Sequence, residues 1–540
     1  MSVANTKLRS PARWVISGHV ARGALRWAVV WGAVFGIFVF STIKAFVISY
    51  PTAVERLKAV ASLRSFAILL GVPHHAETVA GFTSWRVLTA IAVIGAIWGL
   101  LTSTRFLRGE EDAGRWELLL AGPTTRRRAT AQALLGLGVA LSAMLVITAA
   151  LTFLSGRIPV PYFTVTGSLL FAVALVSGAA MFLGIGALAS QLSATRGQAM
   201  MIGAGVLGAS YVVRMVADSQ NSLGWLRWLS PIGWLEELRP LRDPQPLALV
   251  PVVTLIAVCA GASVLLAGRR DLNASVLRER QGSLRSKRWL IGPASLALYL
   301  ARPVALGWLA GVGGFAFMLG YMARSAATLL SSSPALSAAL GRLGVRRGAE
   351  GYLGFAFFIA AAVIAVIAAG QIAAMRDEEA SGRLDNLLTQ PVTRFKWLAA
   401  RLCISLSIVL SAGVVAGFLA WMGASSQHTG VTLPKLLEAG VNATVPAIVV
   451  LGLGGLAFGV RPRLSAVVAY GVVAWSFLAN LLGSLVKGSD WLRDSSLFSH
   501  IALAPAVRPD WETAGVMVLF GIGAGAIGLL AFRRRDVEYG

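Results

Sequence analysis

Charge and cysteine are what this chain has least of. Only 13% of its 540 residues are charged, and 24 acidic residues stand against 48 lysines and arginines. The two cysteines, Cys259 and Cys403, both fall inside apolar runs. They offer no disulfide framework and have no nearby His or Asp to complete a zinc site, so they read as small core residues. No G-x-x-x-x-G-K-[ST] occurs, so no phosphate-binding loop of that type is present. The apolar runs hold almost no acidic residues, which argues against the carboxylate relays of ion-driven transporters.

What is present is hydrophobic length. The chain is 56% hydrophobic, with a mean hydropathy of +0.72. Many apolar runs exceed the roughly 18 residues that mark a membrane-crossing helix. A crossing segment must satisfy its backbone internally, so it is a helix or a strand of a closed barrel. Runs of this length exclude barrel strands, which need only about 9–11 residues. The expected fold is therefore an all-α polytopic membrane protein with about twelve spans. They fall near 27–48, 87–104, 131–153, 164–190, 198–217 and 247–267, then 305–322, 352–375, 397–421, 443–460, 464–486 and 512–532. A net charge of +24 then reads as basic loops against lipid headgroups, with no nucleic acid partner.

The chain also repeats itself. Arg108–Arg126 reads RGEEDAGRWELLLAGPTTR, and Arg376–Arg394 reads RDEEASGRLDNLLTQPVTR. The copies are 19 residues each, align without a gap and lie 268 residues apart, each between two apolar runs. A repeat states architecture directly. It predicts two six-span halves, 1–271 and 304–540, joined by a basic linker and connecting helix over 272–303. An even number of spans per half makes the halves parallel repeats. The dense Arg loops fall on one side, which places both termini in the cytoplasm. The stretches RWVISGHVARGALRW and SLRSKRWLIGPASLALYLARP, one before each half, predict amphipathic helices on the inner membrane surface. The first apolar run is too long for a cleavable signal peptide.

Each part of the repeat has a physical use. Glu110 and Glu111 suit the positive end of a helix dipole. Gly114 lets the chain bend or another backbone come close. Arg115 follows it, then Glu117, Leu119 and Leu120 make a short helix with a small apolar face. Pro123 ends that helix, Thr124 or Thr125 can cap the next, and Arg126 anchors it at headgroup depth. Glu378, Glu379, Gly382, Arg383, Asp385, Leu387, Leu388, Pro391 and Arg394 supply the same parts in the same order. Most of the rest of the two halves has drifted apart, which points to a shared constraint on these segments.

The pattern E-E-x-x-G-R-x-[ED]-x-L-L-x-x-P-x-T-R between spans two and three resembles the cytoplasmic loop of type-2 ABC exporter permeases. The fused twelve-span form, with the loop LSPIGWLEELRP before span six, resembles the actinobacterial tetronasin-type antibiotic exporter permeases. The resemblance extends over the whole chain. It implies that Glu110–Leu120 and Glu378–Leu388 are coupling helices, each docked on one of two copies of a cytoplasmic ABC ATPase. ATP and Mg would be bound there, leaving this chain a transport subunit without cofactor. It further implies outward movement of hydrophobic or amphiphilic compounds, such as antibiotics and drugs, across a bacterial plasma membrane. The substrate cavity would run along spans two, five, eight and eleven, where Trp98, Met201, Tyr211, Met215, Phe357, Phe358, Trp475 and Phe477 lie. Leu384 stands for Trp116 and Asn386 for Leu118, so the two docking faces need not be equivalent.

Three other functions compete. In a secondary transporter the notable ionisable positions are Lys44 and Arg214, both expected near outer ends where long side chains snorkel to water. A membrane enzyme would want acid–base groups at a loop mouth, and His74, His75 and Glu77 could serve, although a solvated loop is the plainer reading. A structural or regulatory subunit is the third.

Overall fold

The structure is a computed structural model that describes residues 14–63, 71–122, 124–157, 162–219, 221–269, 293–332, 348–384, 389, 393–483 and 490–535. Among them there is no strand, and twelve helices are long and apolar enough to cross a membrane. The all-α polytopic expectation holds. The chain divides into two compact units, Met1–Gln281 and Gly282–Gly540.

In the first unit, α1 (Val15–Ser49) and α2 (Ala53–Leu63) lead to α3 (Val79–Thr104). α3 runs on through a π-helical turn, Arg105–Gly109, and a last turn, Glu110–Asp112. Then come α4 (Arg115–Leu120), α5 (Arg126–Ser155), α6 (Val165–Leu192) and α7 (Arg196–Ser219). A 3-10 segment, Asn221–Leu229, precedes α8 (Pro231–Glu237) and α9 (Leu249–Ala267). α1 packs on α5, and α3 on α6. Most of the apolar length of α6 is buried, and little of that of α9. So α6 is the centre of the unit and α9 its rim. Small residues allow the close approach that membrane helices use. A Cβ on Gly99 of α3 would lie 2.2 Å from the Ala179 carbonyl oxygen of α6.

The second unit repeats the plan with α10 (Pro293–Tyr321), α11 (Ala323–Ser332), α12 (Ala349–Ala380) and α13 (Arg394–Ser426). α14 (Leu433–Asn442), α15 (Val445–Val460), α16 (Pro462–Gly483), α17 (Asp490–Asp494) and α18 (Trp511–Arg534) follow. α10 packs on α13, α12 on α15, and α15 on α18.

Three expectations change. Among the described residues no separate interfacial helix precedes span one, because the basic stretch from Trp14 on forms the first turns of α1. Its 35 residues reach about 52 Å, well beyond a hydrocarbon core of about 30 Å. The second expected connecting helix is likewise continuous with span seven over its described part. α10 passes through Pro303, so a boundary at 303/304 falls inside a helix, and residues 272–292 lie outside the described residues. Span ten is broken into α14 and α15, with Pro446 in the first turn of α15 lacking the N–H to continue a ladder. The sequence showed only its second piece, whereas α6, its counterpart, is unbroken.

Candidate functional site

The first charged repeat is rooted in its own unit. Arg108, 1% exposed, lies 3.3 Å from Glu111 and 3.1 Å from Asp112. It also donates to the carbonyl oxygen of Ala194, in the turn between α6 and α7. The other Asp112 oxygen accepts the Arg196 backbone N–H at 2.7 Å. Arg108 and Glu111 are buried charges with partners, the condition under which burial is tolerated. Gly114 has φ +71°, a left-handed turn that suits glycine, and it aims α4 away from α3. Arg115 makes a two-pronged contact with Glu110, one arm at 2.8 Å. That hydrogen bond pushes the Arg115 guanidinium above its ordinary value. Trp116 is buried in the core with Leu120 packed beside it. Glu117 is exposed, and Leu118 is 79% exposed. The expected apolar face of α4 is thus the anchor side, and Leu118 is the apolar group turned outward. Thr125, not Thr124, caps α5 by accepting from the Arg128 N–H at 3.3 Å, and Arg126 opens that helix. Pro123 and the Leu119 side chain lie outside the described residues.

The second repeat keeps the outline and changes the roots. Gly382 has φ +69°, and Leu384, in the place of Trp116, is fully buried. Thr393 caps α13 through the Lys396 N–H at 3.3 Å. Yet Glu378 does not pair with Arg383. It pairs with Arg401 of α13, and Arg383 donates to Ser381 at 2.8 Å. Glu379, wholly buried, meets Arg535 at the end of α18 at 2.8 Å and Arg376 at 3.9 Å. Arg394 donates to the Arg535 carbonyl oxygen. Asp385, Leu387, Leu388 and Pro391 lie outside the described residues.

At the opposite end of the first unit the structure overturns one expectation. Arg214 does not snorkel, because its side chain has no exposed surface. It pairs with Glu236 of α8, lies 3.7 Å from Asp218 and sits 4.6 Å from the centre of the Tyr211 ring. Thr89 of α3 also bonds to Glu236, at 3.2 Å. Arg227 joins Asp218 at 2.6 Å and Glu237 at 3.1 Å, and Arg239 joins Glu237 at 3.3 Å. Three guanidinium and three carboxylate groups offset one another. Beside them lies a cavity of about 40 Å³ lined by His74, Trp85, Thr89, Glu236 and Arg239. Burial, then Arg239, pulls the His74 imidazole below its ordinary value. His75 faces Asp243 at 3.0 Å and Glu77 at 3.5 Å. The available signal was Asp218, one helical turn from Arg214, and the adjacent Glu236 and Glu237 in an otherwise apolar loop.

The residues expected along a substrate cavity divide by burial. Trp98 and Phe357 are packed into the cores of their own units, while Met201, Trp475 and Phe477 are exposed. Tyr211 and Met215 are half-buried. Phe358 lies 6.1 Å from Phe477 and 5.7 Å from Phe498, ring centre to ring centre.

Residues 14–240 match the family model described as ABC-2 family transporter protein. Residues 290–533 match that of the C-terminal domain of the multidrug efflux system permease Rv1217c. The multidrug efflux system permease protein Rv1217c of Mycobacterium tuberculosis is 30% identical over 468 residues, covering 84% of this chain and 81% of that protein. With twelve candidate spans and a family match in each unit, the chain belongs to the ABC-2 family of ABC exporter permeases.

Proposed function

We propose that this chain exports hydrophobic or amphiphilic drugs outward across the bacterial plasma membrane, with both termini in the cytoplasm. Permeases of this family work with an ATPase. Here two copies dock, one on each charged repeat, and each holds the ATP and Mg that drive transport. The chain itself performs no hydrolysis and needs no cofactor. The drug reading rests on the relative whose name describes multidrug efflux. The aromatic and Met side chains exposed on the fifth and eleventh spans, Met201, Trp475 and Phe477, suit such cargo. Division into two functional halves follows the repeat.

One observation carries the docking reading. A left-handed glycine ends a long span in both units, and the next helical turn buries one anchor, Trp116 or Leu384, while its Arg stays exposed. In the first unit this leaves Leu118 outward on a helix whose root is fixed by ion pairs. A rigid apolar tip ringed by charge fits a groove on a soluble partner. The test is Leu118→Arg in the chain co-expressed with its ATPase. The permease stays monodisperse, retains less ATPase on purification and loses drug-stimulated ATP hydrolysis. Undiminished retention and stimulation would contradict the assignment.

A further inference from the structure

We propose that Asp112 is the positioning residue through which the first charged repeat moves span five, and that the second repeat has no such link. The proposal rests on the reading of the repeats as ATPase docking elements. Asp112 uses both carboxylate oxygens. One accepts from Arg108 at 3.1 Å, and the other accepts the first backbone N–H of α7, that of Arg196, at 2.7 Å. That N–H belongs to the first turn of α7, where it has no partner within the helix. A carboxylate there also faces the positive end of the helix dipole. The turn is locked from the other side, since Arg108 donates to the Ala194 carbonyl oxygen and the Ala194 N–H donates to Gln198 at 3.0 Å. Gly109 leaves room for the Arg196 side chain, from which a Cβ there would lie 3.0 Å. So a displacement of the repeat reaches α7 through short, charge-assisted hydrogen bonds added to the packing of α3 on α7.

α7 is 24 residues long and carries that displacement about 36 Å. Its far end is held as well, because Arg214 pairs with Glu236 and Asp218 with Arg227. The output of the first repeat is therefore span five and the loop helix α8.

The second unit lacks both halves of the link. Ala380 occupies the place of Asp112 in the gapless repeat, and the helix corresponding to α7 opens with Pro462, which has no N–H to give. Among the described residues its repeat is tied to α13 through Arg401 and to the end of α18 through Arg535. A missing acceptor matched by a missing donor is what a link absent from one copy leaves behind.

The experiment places the full chain and its ATPase in proteoliposomes. Phosphate release and the movement of a fluorescent amphiphilic drug are read from the same vesicles. Asp112→Ala still assembles with the ATPase and hydrolyses ATP, but drug moved per ATP falls about tenfold, the size of an ordinary coupling free energy. Ala380→Asp leaves that ratio unchanged. Asp112→Cys with Arg196→Cys restores the ratio when oxidised and loses it when reduced. Wild-type drug per ATP in Asp112→Ala overturns the proposal, and so does an oxidised pair as uncoupled as the reduced one. Loss of ATPase association in Asp112→Ala overturns it too, because Asp112 would then belong to the docking face. If the unmodified chain stimulates no ATPase, it is the docking reading that fails.

Discussion

One end of each unit was built on a shared plan and then parted from its counterpart. In the first unit Ser230 donates to the carbonyl oxygen of Ser210, 20 residues earlier; in the second, Ser496 donates to that of Ser476, also 20 residues earlier, both at 2.6 Å. With those pairs superposed, Arg214 falls opposite Asn480 and Glu236 opposite Ala502. In the repeat alignment Thr89 falls opposite Phe357. So the first unit closes this pole with a balanced ion cluster, and the second with phenyl rings and a Asn442 side chain that donates to the Ala502 carbonyl oxygen at 2.9 Å. A duplicated scaffold keeps its backbone joints while exchanging polar for aromatic filling, because each joint needs only a hydroxyl and a carbonyl. The filling sets what each pole resists. Buried ion pairs fail badly when one member is lost, whereas aromatic packing fails by leaving a void.

The largest expected effect breaks the charged pole. Arg214→Leu leaves Glu236 and Asp218 short of a counter-ion and costs roughly 3–5 kcal/mol. Asn480→Ala costs no more than about 1 kcal/mol. Equilibrium unfolding in mixed micelles measures both, and equal losses would contradict the contrast. The aromatic pole is tested from the other side. Phe357→Ala costs roughly 3–5 kcal/mol, while Thr89→Ala, at its counterpart, costs about 1 kcal/mol. The same unfolding measurement should reverse the ranking of the two units. The smallest effect sharpens what is shared. Ser230→Ala and Ser496→Ala each remove one donor and one helix-start acceptor, for about 1 kcal/mol apiece. A large inequality would mean that the joints are not equivalent.

The spans were legible because bilayer thickness fixes their length, and each is long and apolar. The repeat was legible because its two copies still align. What sequence did not show are partnerships across long separations. Arg214 reads as a snorkelling cation, because Asp218 one turn on only hints at a partner, while Glu236 lies 22 residues on and nothing in a span's periodicity points to it. Trp116 and Leu118, two residues apart on a helix of six, offered too few turns to tell the buried side from the exposed one. The different roots of Glu110 and Glu378 depend on Arg401, which stands where the first unit has Ala133, inside an apolar span where a lone arginine reveals no partner. α14 escaped notice because its polar positions, Lys435 and Glu438, read as loop.

The central claim is that the charged repeats are where an ATPase grips this permease. A photo-reactive amino acid at position 118 tests it most directly, with the buried position 116 and the rim position 258 of α9 as controls. The account predicts a crosslink to the ATPase subunit from 118 alone among the three. No crosslink from 118, or an equal one from 258, would contradict it.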